Sequence, residues 1–183
     1  MKDPPKRGGP DPLIGRVIND RFRITGLIAR GGMGKVYRAE QAPLGREVAL
    51  KILNPNYHGD QDPEFHKRFF LEASICAKLT HPNTVTIFDY GRTDVGPYYT
   101  MELLEGEDLR EVVRSRGPLG AGETCRIVRD IASALALVHA RGLVHRDLSP
   151  RNVRLVDGCA VLFDFGVLVN AGAAPNVAGT PSY

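Results

Sequence analysis

The run His145-Arg146-Asp147-Leu148-Ser149-Pro150-Arg151-Asn152 holds the residues of this chain best suited to chemistry. A carboxylate and a carboxamide five positions apart, with a proline between them that forbids a regular helix, predict a loop holding two oxygen ligands toward one point. Such a loop suits phosphate chemistry. Asp147 can accept a proton from an attacking hydroxyl, and Asn152 can hold magnesium together with Asp164 of Asp164-Phe165-Gly166. Each of these residues alone would pass for an ordinary polar loop position. Their combination argues for a site.

The elements that must position them can be read on both sides. Val153 to Val156 and Cys159 to Phe163 flank Asp157-Gly158, the dipeptide expected of a two-residue hairpin turn. If Val156 faces Cys159, Asn152 lies opposite Phe163 and beside Asp164. Alternation along a strand would still send Asn152 and Asp164 to opposite faces, so the ladder must stop or bulge there. Upstream, residues 122–141 read as a helix with a stripe at Val128, Ile131, Leu135 and Val138, ended by Gly142, with His139 as a core or boundary residue. Glu105-Gly106-Glu107 reads as a linker into this helical half.

The N-terminal half reads as strands. Phe22, Ile24 and Ile28 predict one, and Val36-Tyr37-Arg38-Ala39 a second, with Gly31-Gly32-Met33-Gly34 between them. Backbone amides of such a turn can approach phosphates without side-chain obstruction. Glu47 to Leu53 is an apolar strand in which Ala49, Lys51 and Leu53 share a face. Lys51 is its one interior cation and needs a counter-charge. Asp62-Pro63 starts a helix running to about Leu79, where His81-Pro82 stops it. Glu72 is the one charge in its stripe of Phe65, Phe69, Cys76 and Leu79, which makes it the candidate partner of Lys51. Thr84 to Phe88 and Tyr98 to Leu103 predict two further strands joined through Gly91 to Pro97.

Composition bounds the class. The chain has 183 residues, 43% of them hydrophobic and 25% charged, which is enough to bury a core. A net charge of +3 is too small to argue for nucleic acid. Cys76, Cys125 and Cys159 are odd in number and lack metal-ligand spacing, so free thiols in a reducing cytoplasm are expected. No apolar stretch approaches the roughly 20 residues of a membrane span. Pro4, Pro5, Gly8, Gly9, Pro10 and Pro12 predict a flexible leader, with structure beginning near Arg21.

Taken in order, Gly31-Gly32-Met33-Gly34-Lys35-Val36-Tyr37, Val48-Ala49-Leu50-Lys51, Glu72, His145-Arg146-Asp147, Asn152, Asp164-Phe165-Gly166 and Gly179-Thr180-Pro181-Ser182-Tyr183 resemble the protein kinase family, specifically bacterial Ser/Thr kinases of the eukaryotic type. The resemblance implies an α+β, protein kinase-like fold. Residues 1–20 would form the leader and 21–103 a small five-stranded antiparallel nucleotide-binding lobe with one helix. Residues 104–183 would form the incomplete start of a mainly helical large lobe. It further implies ATP and Mg2+ as cofactors and a protein substrate. Lys51 would hold the α- and β-phosphates and pair with Glu72, Asp147 would orient the substrate hydroxyl, and Asn152 and Asp164 would bind the metal. Gly31, Gly32 and Gly34 would cover the phosphates. Ile28, Val36 and Ala49 match adenine-contacting positions, Met101 stands behind the adenine, and Glu102 with Leu104 forms the hinge. The oligomeric state is open.

Four departures from the family pattern carry expectations. Ala29 replaces the usual first glycine. Ser149 replaces a lysine, removing a positive charge beside the transferred phosphate, so lower turnover is expected. Arg154 falls where an apolar floor lies under adenine and would weaken nucleotide binding if it points there. The chain ends at Tyr183, before the Ala-Pro-Glu segment and the later large-lobe helices, as a C-terminally truncated kinase would. From Val167 to Gly179 there is no Ser, Thr or Tyr, so Arg146, which often receives a loop phosphate, would be served by Thr180, Ser182 or Tyr183. The competing reading is a pseudokinase or truncated fragment acting as a binding module. A tyrosine kinase is opposed by Ser149-Pro150 and Gly179-Thr180-Pro181, and a dinucleotide-binding fold by the strand, rather than helix, after the glycine turn.

Overall fold

A computed structural model describes residues 11–31, 34–54, 74, 77–145, 147–164 and 169–170. The chain divides into two compact units, Met1–Asp62 with Tyr90–Leu103, and Pro63–Asp89 with Leu104–Tyr183. The sequence places residues 63–89 with the small lobe. Among the described residues of that stretch, hydrogen bonds run instead into the second unit: Asn83 Nδ2 donates to the Ala160 carbonyl at 2.9 Å and Val85 N to the Leu162 carbonyl at 2.9 Å.

The sheet of the first unit has six strands, β1 (Val17–Ile18), β2 (Phe22–Gly31), β3 (Gly34–Gln41), β4 (Arg46–Leu53), β5 (Ile87–Thr93) and β6 (Gly96–Glu102). Their spatial order is β1-β2-β3-β4-β6-β5. The sixth strand, β1, lies in the stretch expected to be a flexible leader. Residues 11–20 are folded because one face of the sheet needs cover. Tyr37, Leu50 and Thr100 stand in one cross-strand row of that face and are fully buried. The chain before β2 is tied to that face and to the sheet edge: Tyr37 Oη donates to Asp11 Oδ1 at 3.1 Å, Gly15 N and Ile24 N donate to the Ile24 and Arg16 carbonyls, and Asn19 Nδ2 donates to Tyr98 Oη at 3.2 Å. Phe22 meets the Tyr98 ring edge-on, centroids 5.9 Å apart.

Strand β5 begins three residues later than the sequence predicts and runs through Gly91 to Thr93. Thr84 makes only a single parallel bridge, to Leu162. The turn is Asp94-Val95, and Thr93 Oγ1 closes it by accepting from Val95 N and donating to the Gly96 carbonyl. Gly91 sits in the strand, where a Cβ would press within 3.0 Å of the Tyr98 ring. Of the helix expected from Asp62 to Leu79, Ser74 and residues 77–79 are described: Ser74 is helical, and residues 77–78 form a turn.

In the second unit, Gly106 and Glu107 are more than a linker. β7 (Glu107–Asp108) pairs with β9 (Val153–Val156), which pairs with β10 (Cys159–Leu162). Gly106, at φ +104°, lies so close to the Leu155 carbonyl that a Cβ would collide with it. Asp108 then caps α1 (Leu109–Arg116), its Oδ1 accepting from Glu111 N at 2.9 Å. Helix α2 (Ala121–Ala140) ends at Arg141, with Gly142 left-handed at φ +71°. Its buried stripe is Ile127, Asp130, Ala134 and Val138, whereas Val128 is 58% exposed and His139 is exposed. The apolar face is thus turned by one position from the one expected. Asp130 sets this turn: its Oδ2 accepts from Ala160 N of β10 at 3.2 Å, and Oδ1 from Arg129. Burial alone would raise the Asp130 carboxyl, but the Arg129 and Ala160 bonds hold it below its ordinary range. Burying side chains the size of Ile127 and Val138 contributes about 1.5–3 kcal/mol each. β8 (Leu143–Val144) follows and pairs with β11 (Val169–Asn170).

Candidate functional site

In the first unit, strand register gathers the predicted residues. Ala29, Val36, Lys51 and Tyr99 form one cross-strand row, and Arg38, Ala49 and Met101 the next row on the same face. Val36, Ala49, Lys51 and Met101 therefore share a surface, with Ala49, Lys51 and Met101 buried. Lys51 Nζ lies 5.8 Å from the Tyr99 ring centroid. Ile28 sits in the register shift between Leu27 and Ala29, half exposed at 42%. Ala29 pairs with Val36 just past that shift and does not take a positive φ, so the missing glycine requires no left-handed backbone there.

Gly31 and Gly34 pair across the base of the turn. Gly34 packs so tightly on β4 that a Cβ would collide with the Ile52 carbonyl, which fixes glycine at this position. Glu102 ends β6 exposed, and Leu104 is half-buried in the second unit. Gly32, Glu72, Arg146 and Thr180 lie outside the described residues, and with them the expected pairing of Lys51 with Glu72.

In the second unit the residues of the predicted catalytic loop are drawn together by hydrogen bonds. Asp147 N donates to the His145 carbonyl at 2.8 Å. Pro150–Asn152 form one 3-10 turn, and Asn152 N donates to the Ser149 carbonyl at 3.0 Å. The Asn152 amide nitrogen donates to the Asp147 carbonyl at 2.8 Å and to Asp147 Oδ2 at 3.0 Å. Both partners are acceptors, so the nitrogen is fixed on that side and the amide oxygen faces away from them.

The hairpin holds the predicted register, Val156 facing Cys159 and Val153 facing Leu162. Asp157 and Gly158 have φ of +48° and +81°, as a two-residue turn of this hand requires. Phe163 N donates to the Asn152 carbonyl at 2.9 Å, and there the ladder ends. Asn152 is in the 3-10 turn, and Asp164 takes φ +60°. The alternation that would have parted the two side chains is broken at both ends. A carboxylate and an outward amide oxygen are hard oxygen donors of the kind magnesium takes.

His145 is buried beneath this loop at 2% exposure. Burial lowers its pKa below the ordinary value, against the pull of a Phe163 backbone hydrogen bond and the Asp164 and Asp147 charges. Arg154 turns to Leu104: its Nη1 donates to the Leu104 carbonyl at 2.9 Å, and its guanidinium lies 5.6 Å from the Phe163 ring centroid. Sequence reasoning missed Asp11 and Asp130. For Asp130 a signal existed, a lone acid in an apolar helix stripe, the same signal that singled out Glu72.

A glycine-turn sheet carrying a buried lysine, and a broken hairpin carrying an aspartate-asparagine pair, define the class. Residues 22–183 match the protein kinase domain, and the chain belongs to the protein kinase family. It is 39% identical over 174 residues to the serine/threonine-protein kinase PknL of Mycobacterium tuberculosis, an alignment covering 94% of this chain and 43% of that protein. It is 43% identical over 157 residues to the serine/threonine-protein kinase PrkC of Bacillus subtilis, covering 85% of this chain and 24% of that protein. The crystal structure of the PknI kinase domain of M. tuberculosis superposes with a TM-score of 0.75 at 33% identity, covering 84% of this chain and 61% of that one. The chain spans less than half the length of these curated relatives. No helix among the described residues is long and apolar enough to cross a membrane.

Proposed function

We propose that this chain supplies the nucleotide-binding lobe and catalytic loop of a protein serine/threonine kinase, which transfers the γ-phosphate of ATP to a protein hydroxyl in the cytoplasm. The observation that carries the reading is the Asn152 amide bonded through its nitrogen to Asp147, with its oxygen turned outward at the end of the hairpin that leads to Asp164.

Asp147 Oδ2 is held by the Asn152 amide, which fixes the carboxylate to receive the proton of an attacking hydroxyl. Asn152 and Asp164 are the residues that would hold Mg2+, and the ion when bound supplies positive charge to the phosphates. Lys51 sets a cation against the α- and β-phosphates from the face it shares with Val36, Ala49 and Met101, with Glu72 as its partner. Gly31, Gly32 and Gly34 offer backbone amides to the same anion, Ile28, Val36 and Ala49 bound the adenine, and Glu102 with Leu104 meets its edge. Arg146 would receive a loop phosphate, with Thr180 as the first hydroxyl residue after Val167, followed by Ser182 and Tyr183. Ser149 leaves one charge fewer near the transferred phosphate than a lysine would, so turnover should be modest.

Phosphotransfer by the full-length gene product should fall by about 10²–10⁴-fold in Asp147→Asn, the range for loss of a general base. Equal activity in that variant would remove the assignment. Melting curves with Mg-ATP test nucleotide binding separately: an upward shift is expected, and its absence in well-folded protein would favour a non-catalytic binding role.

A further inference from the structure

Asp11 has no role in the site just described, yet its side chain is only 1% exposed and carries a full set of partners. Oδ2 meets Lys35 Nζ at 2.9 Å and Arg30 Nη2 at 3.2 Å, and Oδ1 accepts from Tyr37 Oη at 3.1 Å and Leu13 N at 3.2 Å. Arg30 and Lys35 are cross-strand partners one position outside the Gly31 and Gly34 pair, so they bracket the glycine-rich turn from its two arms.

Two cations directly opposite each other on an antiparallel pair repel and destabilise it. Here they do so at the base of a turn whose glycines contribute no side chains to hold it closed. A carboxylate between them converts that repulsion into a bridge. Burial alone would raise the Asp11 carboxyl, but its bonds to Lys35, Leu13 and Tyr37 hold it below its ordinary range, so it is charged at neutral pH. Hydrogen bonds to a charged acceptor are about twice as strong as neutral ones. Lys35 and Tyr37 alternate with Val36 along β3, so the clamp grips the turn from the face opposite Lys51.

We infer that Asp11 is a positioning residue for the phosphates: it clamps both arms of the glycine-rich turn from behind and so holds the turn's amides in place for the nucleotide. This rests on the reading of the turn as the phosphate cover. A residue that merely fastens residues 11–16 to the sheet would need only one arm.

Hydrogen exchange in the ligand-free chain reads the clamp directly, and affinities for Mg-ATP and for adenosine read its purpose. Asp11→Asn should speed exchange at the amides of Gly31, Gly34, Lys35 and Val36. It should weaken Mg-ATP by about tenfold, the worth of one charge-assisted hydrogen bond, and leave adenosine unchanged. Arg30→Gln, at a side chain 58% exposed, frees one arm without threatening the fold and should move both readouts the same way by less. Tyr37→Phe removes a bond to the same carboxylate but leaves both arms clamped, and should move neither. Unchanged exchange in Asp11→Asn and Arg30→Gln, or equal weakening of ATP and adenosine, overturns the inference. A wild-type chain that binds neither ligand overturns the kinase reading instead, and the exchange measurement still decides whether Asp11 clamps the turn.

Discussion

The sheet face that carries Lys51 and the loop that carries Asp147 position their residues by opposite means. On the sheet, register does everything: Val36, Lys51 and Tyr99 share a row because β3, β4 and β6 pair without interruption. In the loop the ladder has to fail. Asn152 leaves it through a 3-10 turn and Asp164 through a left-handed residue, and side-chain hydrogen bonds replace the backbone pairing that is lost. A face built by register tolerates change in any one side chain and is sensitive to changes that move a backbone. A loop built by side-chain bonds should show the reverse.

The largest effect expected from that contrast is on the backbone side. Gly34→Val places a branched side chain against the Ile52 carbonyl and should cost about 3 kcal/mol, the upper end of overpacking, read as a lowered denaturant midpoint. A fully stable variant would show that the turn is not seated on β4. Next comes Asn152→Ala, which strips donors from the Asp147 carbonyl and carboxylate. It should cost about 1–3 kcal/mol and suppress phosphotransfer by the full-length product, and retained activity would separate Asn152 from the chemistry.

The smallest effect is acidification, which sharpens the comparison by reaching the second unit first, through His145. His145 has a lowered pKa, so at pH values just below 6.5 the unfolded chain binds more protons than the folded one. Stability of the second unit should therefore fall as pH drops below that value. Asp11 and Asp130 are depressed from 3.8, and their contributions disappear only below it. Melting temperature should decline between pH 7.5 and 5.5. A rise over that interval would contradict the assignment of His145 as a buried neutral ring.

Legibility in the sequence followed the range of the interaction. The hairpin from Val153 to Leu162 was readable to the residue, since Asp157-Gly158 dictates its turn and the turn dictates its register. The requirement that the ladder break at Asn152 and Asp164 came from period two alone. The face holding Ala49 and Lys51 was equally plain, because it needs only alternation along one strand. What escaped were pairings without local periodicity. A proline- and glycine-rich stretch reads as a leader, and nothing near Asp11 announces that Lys35, Arg30 and Tyr37 await it. Ile87–Thr93 was misplaced because Gly91 resembles a turn residue, whereas it is there to clear the Tyr98 ring.

The two-residue turn at Asp157-Gly158 also has a consequence in time. Closing a chain on itself costs entropy that grows with the length of the loop, and hairpins of this kind form in about 1–10 μs. Pairing β4 with β6 must first close the whole stretch from Leu53 to Gly96. The ends that carry Asn152 and Asp164 therefore meet early in folding, and the row that carries Lys51 waits for the slower search. A full-length chain refolding from the unfolded state would bring together the strand ends that lead to its proposed metal ligands before its lysine had reached its place.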